Sequence, residues 1–167
     1  MNLTRTERLI LSNQYQILEK LDPDAADYYR HLRKIVEHGY ELHYEHDVAR
    51  HIYEDENIVT EADCKSVLDT LSMHEAMKRC YDDLADKTGI NETDIKFRGY
   101  DGSNETKMMS YAEFYVKEMG RFEDLDIRHF NSHCQMVHRY ERMVRAWKES
   151  ETPWELTRAD LERILAA

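Results

Sequence analysis

Five glycines and two prolines are all that this chain of 167 residues has for sharp turns. Globular proteins average roughly 12% of the two together. A β-sandwich or barrel needs a turn signal every ~8–12 residues, so that class is disfavoured. What fits is a set of helices with few connections. Length points the same way, since about 170 residues is one domain's worth. The expectation is an all-α, single-domain helical bundle covering 1–167, with about six to eight helices and one long central helix.

Helix boundary signals are frequent. Thr4 and Glu7 have the spacing of a capping box, in which the Thr hydroxyl and the Glu carboxylate each satisfy an unpaired backbone N–H. Ile10, Ile17, Leu18 and Leu21 then share one stripe, expected to face the core. Asp22-Pro23 ends that helix and opens a second one, which carries Leu32, Ile35 and Val36 and stops at Gly39. Tyr44, Val48 and Ile52 suggest a short, thinly anchored helix. Thr60 and Asp63 open a long helix that could run to Lys87. Its apolar stripe changes face along its length, with Val67, Leu68 and Leu71 on one side and Met73, Met77 and Cys80 nearly opposite. Either it kinks near Ser72 or its halves pack on different neighbours, as a central helix or a subunit contact would require. A turn-rich stretch, 90–105, precedes a helix with Met108, Ala112, Val116 and Met119 inward. A further helix is expected from Asn131 or Ser132, with Tyr140 and Trp147 on its stripe. Thr157 and Asp160 open a last one. Eleven tyrosines and eight methionines supply core volume that the aliphatic residues leave short.

Charge excludes whole classes of function. Lys plus Arg is 23 against 34 Asp plus Glu, a formal charge of −11. Nucleic acid and anionic membrane surfaces both demand the opposite sign. No apolar run approaches the ~20 residues of a membrane span, and the N-terminus lacks signal-peptide regions, so a cytoplasmic location is expected. Cys64, Cys80 and Cys134 are odd in number and widely spaced, which suggests free, mostly buried thiols rather than a disulfide framework.

Several stretches have a family likeness. Arg8 to Tyr15, the Leu21-Asp22-Pro23 junction, the tyrosine-rich helix ending at Gly39-Tyr40, Phe97-x-Gly99-Tyr100-Asp101 with Glu105, Gly120-Arg121, and Tyr140-x-x-Met143 with Trp147 occur in order along the whole chain. Together they resemble the bacterial YfbU-like family. The resemblance implies an all-helical domain and no established reaction. Related domains can be fused to helix-turn-helix modules, which implies a ligand-sensing or regulatory role, although no basic recognition helix is present here. Two stretches depart from the family pattern: 41–57 is longer, and 127–138 matches only loosely. A site built in either is particular to this chain.

Candidate sites follow from residue type. Gln14 falls in the middle of the first helical stripe and Asn13 at its edge; a buried amide must find partners, in the fold or in a polar cavity. The loop Arg98-Gly99-Tyr100-Asp101-Gly102 combines two glycines with both charges in a long connection. Arg98, Tyr100 and Asp101 are therefore ligand-binding candidates, against the plainer alternative that Asp101 caps the next helix and Phe97 and Tyr100 plug the core. His46-Asp47 has the form of a metal-dependent phosphohydrolase pair, which His31, His38 or His43 and Asp101 could complete. About one such dipeptide is expected by chance in a chain with nine histidines. His43/His46 and His129/His133 have two-point metal spacing without an obvious carboxylate third ligand. No nucleophile motif, phosphate loop, catalytic residue, metal site or cofactor site is recognised. The expectation is a non-enzymatic ligand-sensing or interaction domain. It would be a homo-oligomer joined through the long helix or the tyrosine-rich helices, with a small-molecule or protein partner. A hydrolase using His46 and Asp47 is the alternative.

Overall fold

The computed structural model describes residues 1–52 and 58–167. They form seven α-helices: α1 (Arg5–Leu21), α2 (Ala26–His38), α3 (Glu61–Asp83), α4 (Glu92–Ile95), α5 (Thr106–Lys117), α6 (Val137–Lys148) and α7 (Arg158–Leu165). Among the described residues no strand forms. The nearest approach to one is an isolated parallel bridge between Tyr100 and Asn131. None of these helices is long and apolar enough to cross a membrane. The fold is all-α, as the scarcity of turn residues requires. By its contacts the chain divides into two compact units, Met1–Asn57 and Ile58–Ala167.

Unit 1 is an α1–α2 hairpin with short turns after it. Thr4 caps α1 through the complete capping box with Glu7. Asp22 accepts from the Ala25 N–H and Pro23 begins a single 3-10 turn. Gly39 closes α2 in the left-handed region at φ +71°, where its N–H and that of Tyr40 both reach the Ile35 carbonyl. The core is small: Tyr15, Leu32, Ile35, Val36 and Tyr44. Charged groups line the hairpin, with Arg30 and Arg33 both on Glu19 and Ser12 donating to Glu37.

Two expectations in this unit are corrected. Ile10, Ile17 and Leu21 do not face the core; they are 51%, 57% and 74% exposed. The face of α1 that meets α2 carries Leu11 and Tyr15 instead, and Tyr15 lies about 140° around the helix from Ile10. Gln14 is accordingly exposed rather than buried. The expected helix around Tyr44 is a 3-10 turn, Glu41–His43, followed by a π-turn, Tyr44–Val48. Only Tyr44 and Ala49 there are buried, and Ile52 is exposed.

Unit 2 is organised around α3, which packs on α4, α5, α6 and α7. Its stripe changes face because both faces are enclosed. Val67, Thr70 and Leu71 are buried on one side, and Met73, Met77 and Cys80 on the other. The helix runs as one element through Ser72, and its faces meet different neighbours, which explains the pattern. It ends at Asp83, short of Lys87, because Leu84 turns extended. Tyr140, Met143 and Trp147 of α6 and Leu161 and Ile164 of α7 complete the core. The Thr60/Asp63 and Thr157/Asp160 capping boxes both form. Cys80 is buried but Cys134 is exposed, against expectation.

Helix α6 begins at Val137, not near Asn131. The intervening residues are used for long-range contacts. Tyr100 N–H donates to the Phe130 carbonyl and Ser132 N–H to the Tyr100 carbonyl. The Asn131 side-chain oxygen accepts from the N–H groups of Gly102 and His133. Residues 130–132 are thereby held against the 99–102 loop, and His133 turns into the left-handed region at φ 55°, so α6 does not start here.

Candidate functional site

The loop between α4 and α5 is fixed from beneath by rings. Phe97, Tyr100, Tyr140 and His74 form one cluster with centroids 5.3 to 5.6 Å apart. The Tyr140 hydroxyl accepts from the Arg98 N–H. Burial holds the Tyr100 and Tyr140 phenols well above their ordinary pKa, so both stay neutral. His74 is fully buried. Its Nδ1 lies 2.6 Å from the Ile95 carbonyl, which can only accept, so Nδ1 carries the proton. Nε2 has no partner. Burial pushes the His74 pKa down to about 4, leaving a neutral ring behind the Ile95–Phe97 wall.

Glu105 ties this loop to α6. Its buried carboxylate accepts from the Asp101 N–H at 3.0 Å and from the N–H groups of Met136 and Val137 at 2.9 Å. A helix N-terminus with no capping side chain of its own is thus capped by a carboxylate more than thirty residues away. Gly99 sits at φ +87°, and a Cβ there would lie 2.1 Å from the Phe130 carbonyl oxygen. Only glycine allows the two segments to approach this closely.

Among the described residues, three other than glycine adopt positive φ: Phe122 at 58°, Asp126 at 45° and His133 at 55°. All three lie in the connection from α5 to α6. A bulky residue such as Phe122 in this region is strained, at roughly 1–3 kcal/mol.

That strained connection forms one wall of a cleft of ≈670 Å³. The opposite wall is the C-terminal half of α3, with Lys78 and Tyr81, together with α4. Ile95, Phe97, Leu125 and Ile127 give it an apolar lining. Lys78, Lys96, Arg98 and Arg128 place four cations around it, against Asp82, Glu92 and Asp126. Lys78 bonds Asp82 at 2.5 Å, Lys96 pairs with Glu92 at 2.8 Å, and Arg128 with Asp126 at 3.2 Å. The hydrogen bond to Asp82 raises the Lys78 pKa, and Lys96 lowers that of Glu92. Arg98 is exposed and, among the described residues, makes no ion pair.

The sequence candidates fall as follows. Arg98 lines the cleft. Tyr100 is 2% exposed and belongs to the ring cluster beneath it. Asp101 folds back on its own turn, accepting from Ser103 N–H and Asn104 Nδ2; the Asn104 amide holds its carboxyl below the usual range. Phe97 and Tyr100 thus plug the core, as the plainer alternative has it, but Asp101 does not cap α5, which starts at Thr106 with no side-chain cap; it closes its own turn instead. Asn13 and Gln14 lie exposed on α1 in unit 1. Of the cleft residues, Lys78, Tyr81, Asp82 and Leu125 had no sequence signal, whereas 127–132 lies in the stretch that departs from the family pattern and His129 belongs to a pair with metal spacing.

His31, His43 and His46 are all exposed. His43 Nδ1 lies 2.8 Å from Asp47 Oδ2, an i,i+4 contact on the surface. Among the described residues no three His, Cys, Asp or Glu side chains come together as a metal site would need. Ser132, the hydroxyl in the cleft wall, donates to the Cys134 carbonyl.

Fold and site together define an all-helical domain with a mixed-charge, partly apolar cleft. The chain belongs to the YfbU domain family, whose model matches residues 1–167.

Proposed function

We propose that this protein is a non-catalytic ligand-binding protein, and that its unit-2 cleft takes a small anionic molecule with an apolar portion. The cleft itself carries this reading: four cationic side chains against three carboxylates around an apolar wall, a local excess of positive charge in a chain whose formal charge is −11. A volume of ≈670 Å³ is within the range of small-molecule sites. Arg98 is the group we assign to the anion. Among the described residues it is the cleft cation without a carboxylate partner, and its planar fork suits a carboxylate or phosphate. Lys96 and Arg128 exchange one partner for another on binding. Phe97 and Ile127 supply the apolar contact. Strain in the 122–133 connection supports a role in signalling occupancy, because a loop held in unfavourable φ can settle differently once a ligand contributes to its wall.

The test is thermal stability with inorganic phosphate and a panel of carboxylates and nucleotides. A ligand at 100 times its dissociation constant raises stability by about 2.7 kcal/mol. Arg98→Ala, at an exposed position, should leave the melting temperature of the free protein unchanged and weaken binding at least tenfold. A panel with no hit, or a hit that Arg98→Ala and Arg128→Ala leave untouched, overturns the reading.

A further inference from the structure

Helix α1 has a second apolar face that its packing on α2 leaves bare. Ile10, Gln14, Ile17 and Leu21 follow one another at spacings of four, three and four. That is the seam by which one helix packs lengthwise on another. All four are exposed, Ile10 at 51%, Ile17 at 57% and Leu21 at 74%. Leu18 and Asn13 flank them, and none of the six is charged. Glu7, the next position along the seam, is held back on Thr4 by its capping box. In a chain with 34% charged residues, an uncharged strip down one helix is a specific feature.

We propose that a second copy of this chain covers this strip, α1 against α1. Three observations favour a copy over a foreign partner. The strip offers no charge for an unlike protein to recognise, whereas two neutral faces let two acidic chains meet without like-charge contact. Gln14, in the middle of the seam, carries donor and acceptor on one amide, so two copies satisfy each other across a twofold axis. Finally, the extent suits a reversible dimer. A single seam along the ~25 Å of α1 is a small contact beside the ~20–30 residues a side of a standard interface. The association is therefore concentration-dependent, not obligate.

Sedimentation velocity of the full chain from about 2 to about 200 µM tests this, since mass action must shift the population. The expected result is a monomer–dimer equilibrium that Ile17→Asp weakens at least 100-fold. Ile17→Leu should preserve it, as should Met119→Asp at an exposed site in unit 2. Circular dichroism confirms that each variant is folded. If Ile17→Asp is not, Leu21→Asp, at the most exposed seam position, replaces it. A chain that stays monomeric throughout overturns the proposal, as does a dimer that survives both substitutions. A monomer whose Ile17→Asp variant melts earlier assigns the strip to this chain's own second unit, and overturns it equally.

Discussion

Among the described residues, the 110-residue unit around α3 leaves only Ile58, Phe114, Met119 and Trp154 as exposed large hydrophobics. The hairpin unit leaves ten, from Met1 and Leu9 to Ile52, around a core of five side chains. The helices do not differ in kind. Both α1 and α3 carry apolar residues on two faces. What differs is the number of neighbours available. A central helix with four others around it can bury both faces, whereas a two-helix hairpin has a single seam between its members. The second face of α1 must stay bare or find a partner. Small units are marginal for this reason, and association is one of the usual remedies.

The largest effect that could break this contrast is at Gly99. Gly99→Ala sets a Cβ against the Phe130 carbonyl at positive φ. A loss of about 4 kcal/mol or more is expected from unit 2 in urea unfolding; a loss below ~1 kcal/mol would mean that the loop and segment 130–133 are not locked together. Next is acid. His74 is neutral when folded, with a pKa of about 4, and titrates near 6.5 when unfolded. The unfolded chain takes up the proton first, so stability falls as pH drops from about 6.5 to about 4 and levels off below. The total is about 3 kcal/mol. His74→Leu should flatten that slope between pH 4 and 6.5, and a slope unchanged by it places the acid sensitivity elsewhere. Glu105→Gln comes third, at about 2 kcal/mol, because a charged acceptor shared by three N–H groups becomes a neutral one. Faster hydrogen exchange at Met136 and Val137 is its signature. Smallest is Leu21→Ser in unit 1, about 0.5 kcal/mol or less when measured below the concentration of association. Leu71→Ala in α3, where the side chain is fully buried, should cost about 3 kcal/mol. Equal costs at the two leucines would abolish the distinction between the units.

Legibility divides along the same line. The capping boxes at Thr4, Thr60 and Thr157 and the stop at Gly39 were readable because each is made within four residues of chain. The change of face along α3 was readable as a pattern, and packing gave it a cause. The position of Arg98 in a turn-rich loop could be seen in the sequence. Lys78, Leu125 and Arg128 opposite it could not, since only the folded chain sets them across one cleft.

Residue order alone settled that this chain is helical, acidic and bounded by local caps, because propensity, charge and capping act over a few neighbouring residues. Tertiary structure alone decided that Tyr15 rather than Ile10 faces inward, that α6 waits until Val137, and that Glu105 caps it from over thirty residues away. Those outcomes depend on which surfaces compete for burial and which N–H groups a distant carboxylate reaches. Neither is a property of any single segment.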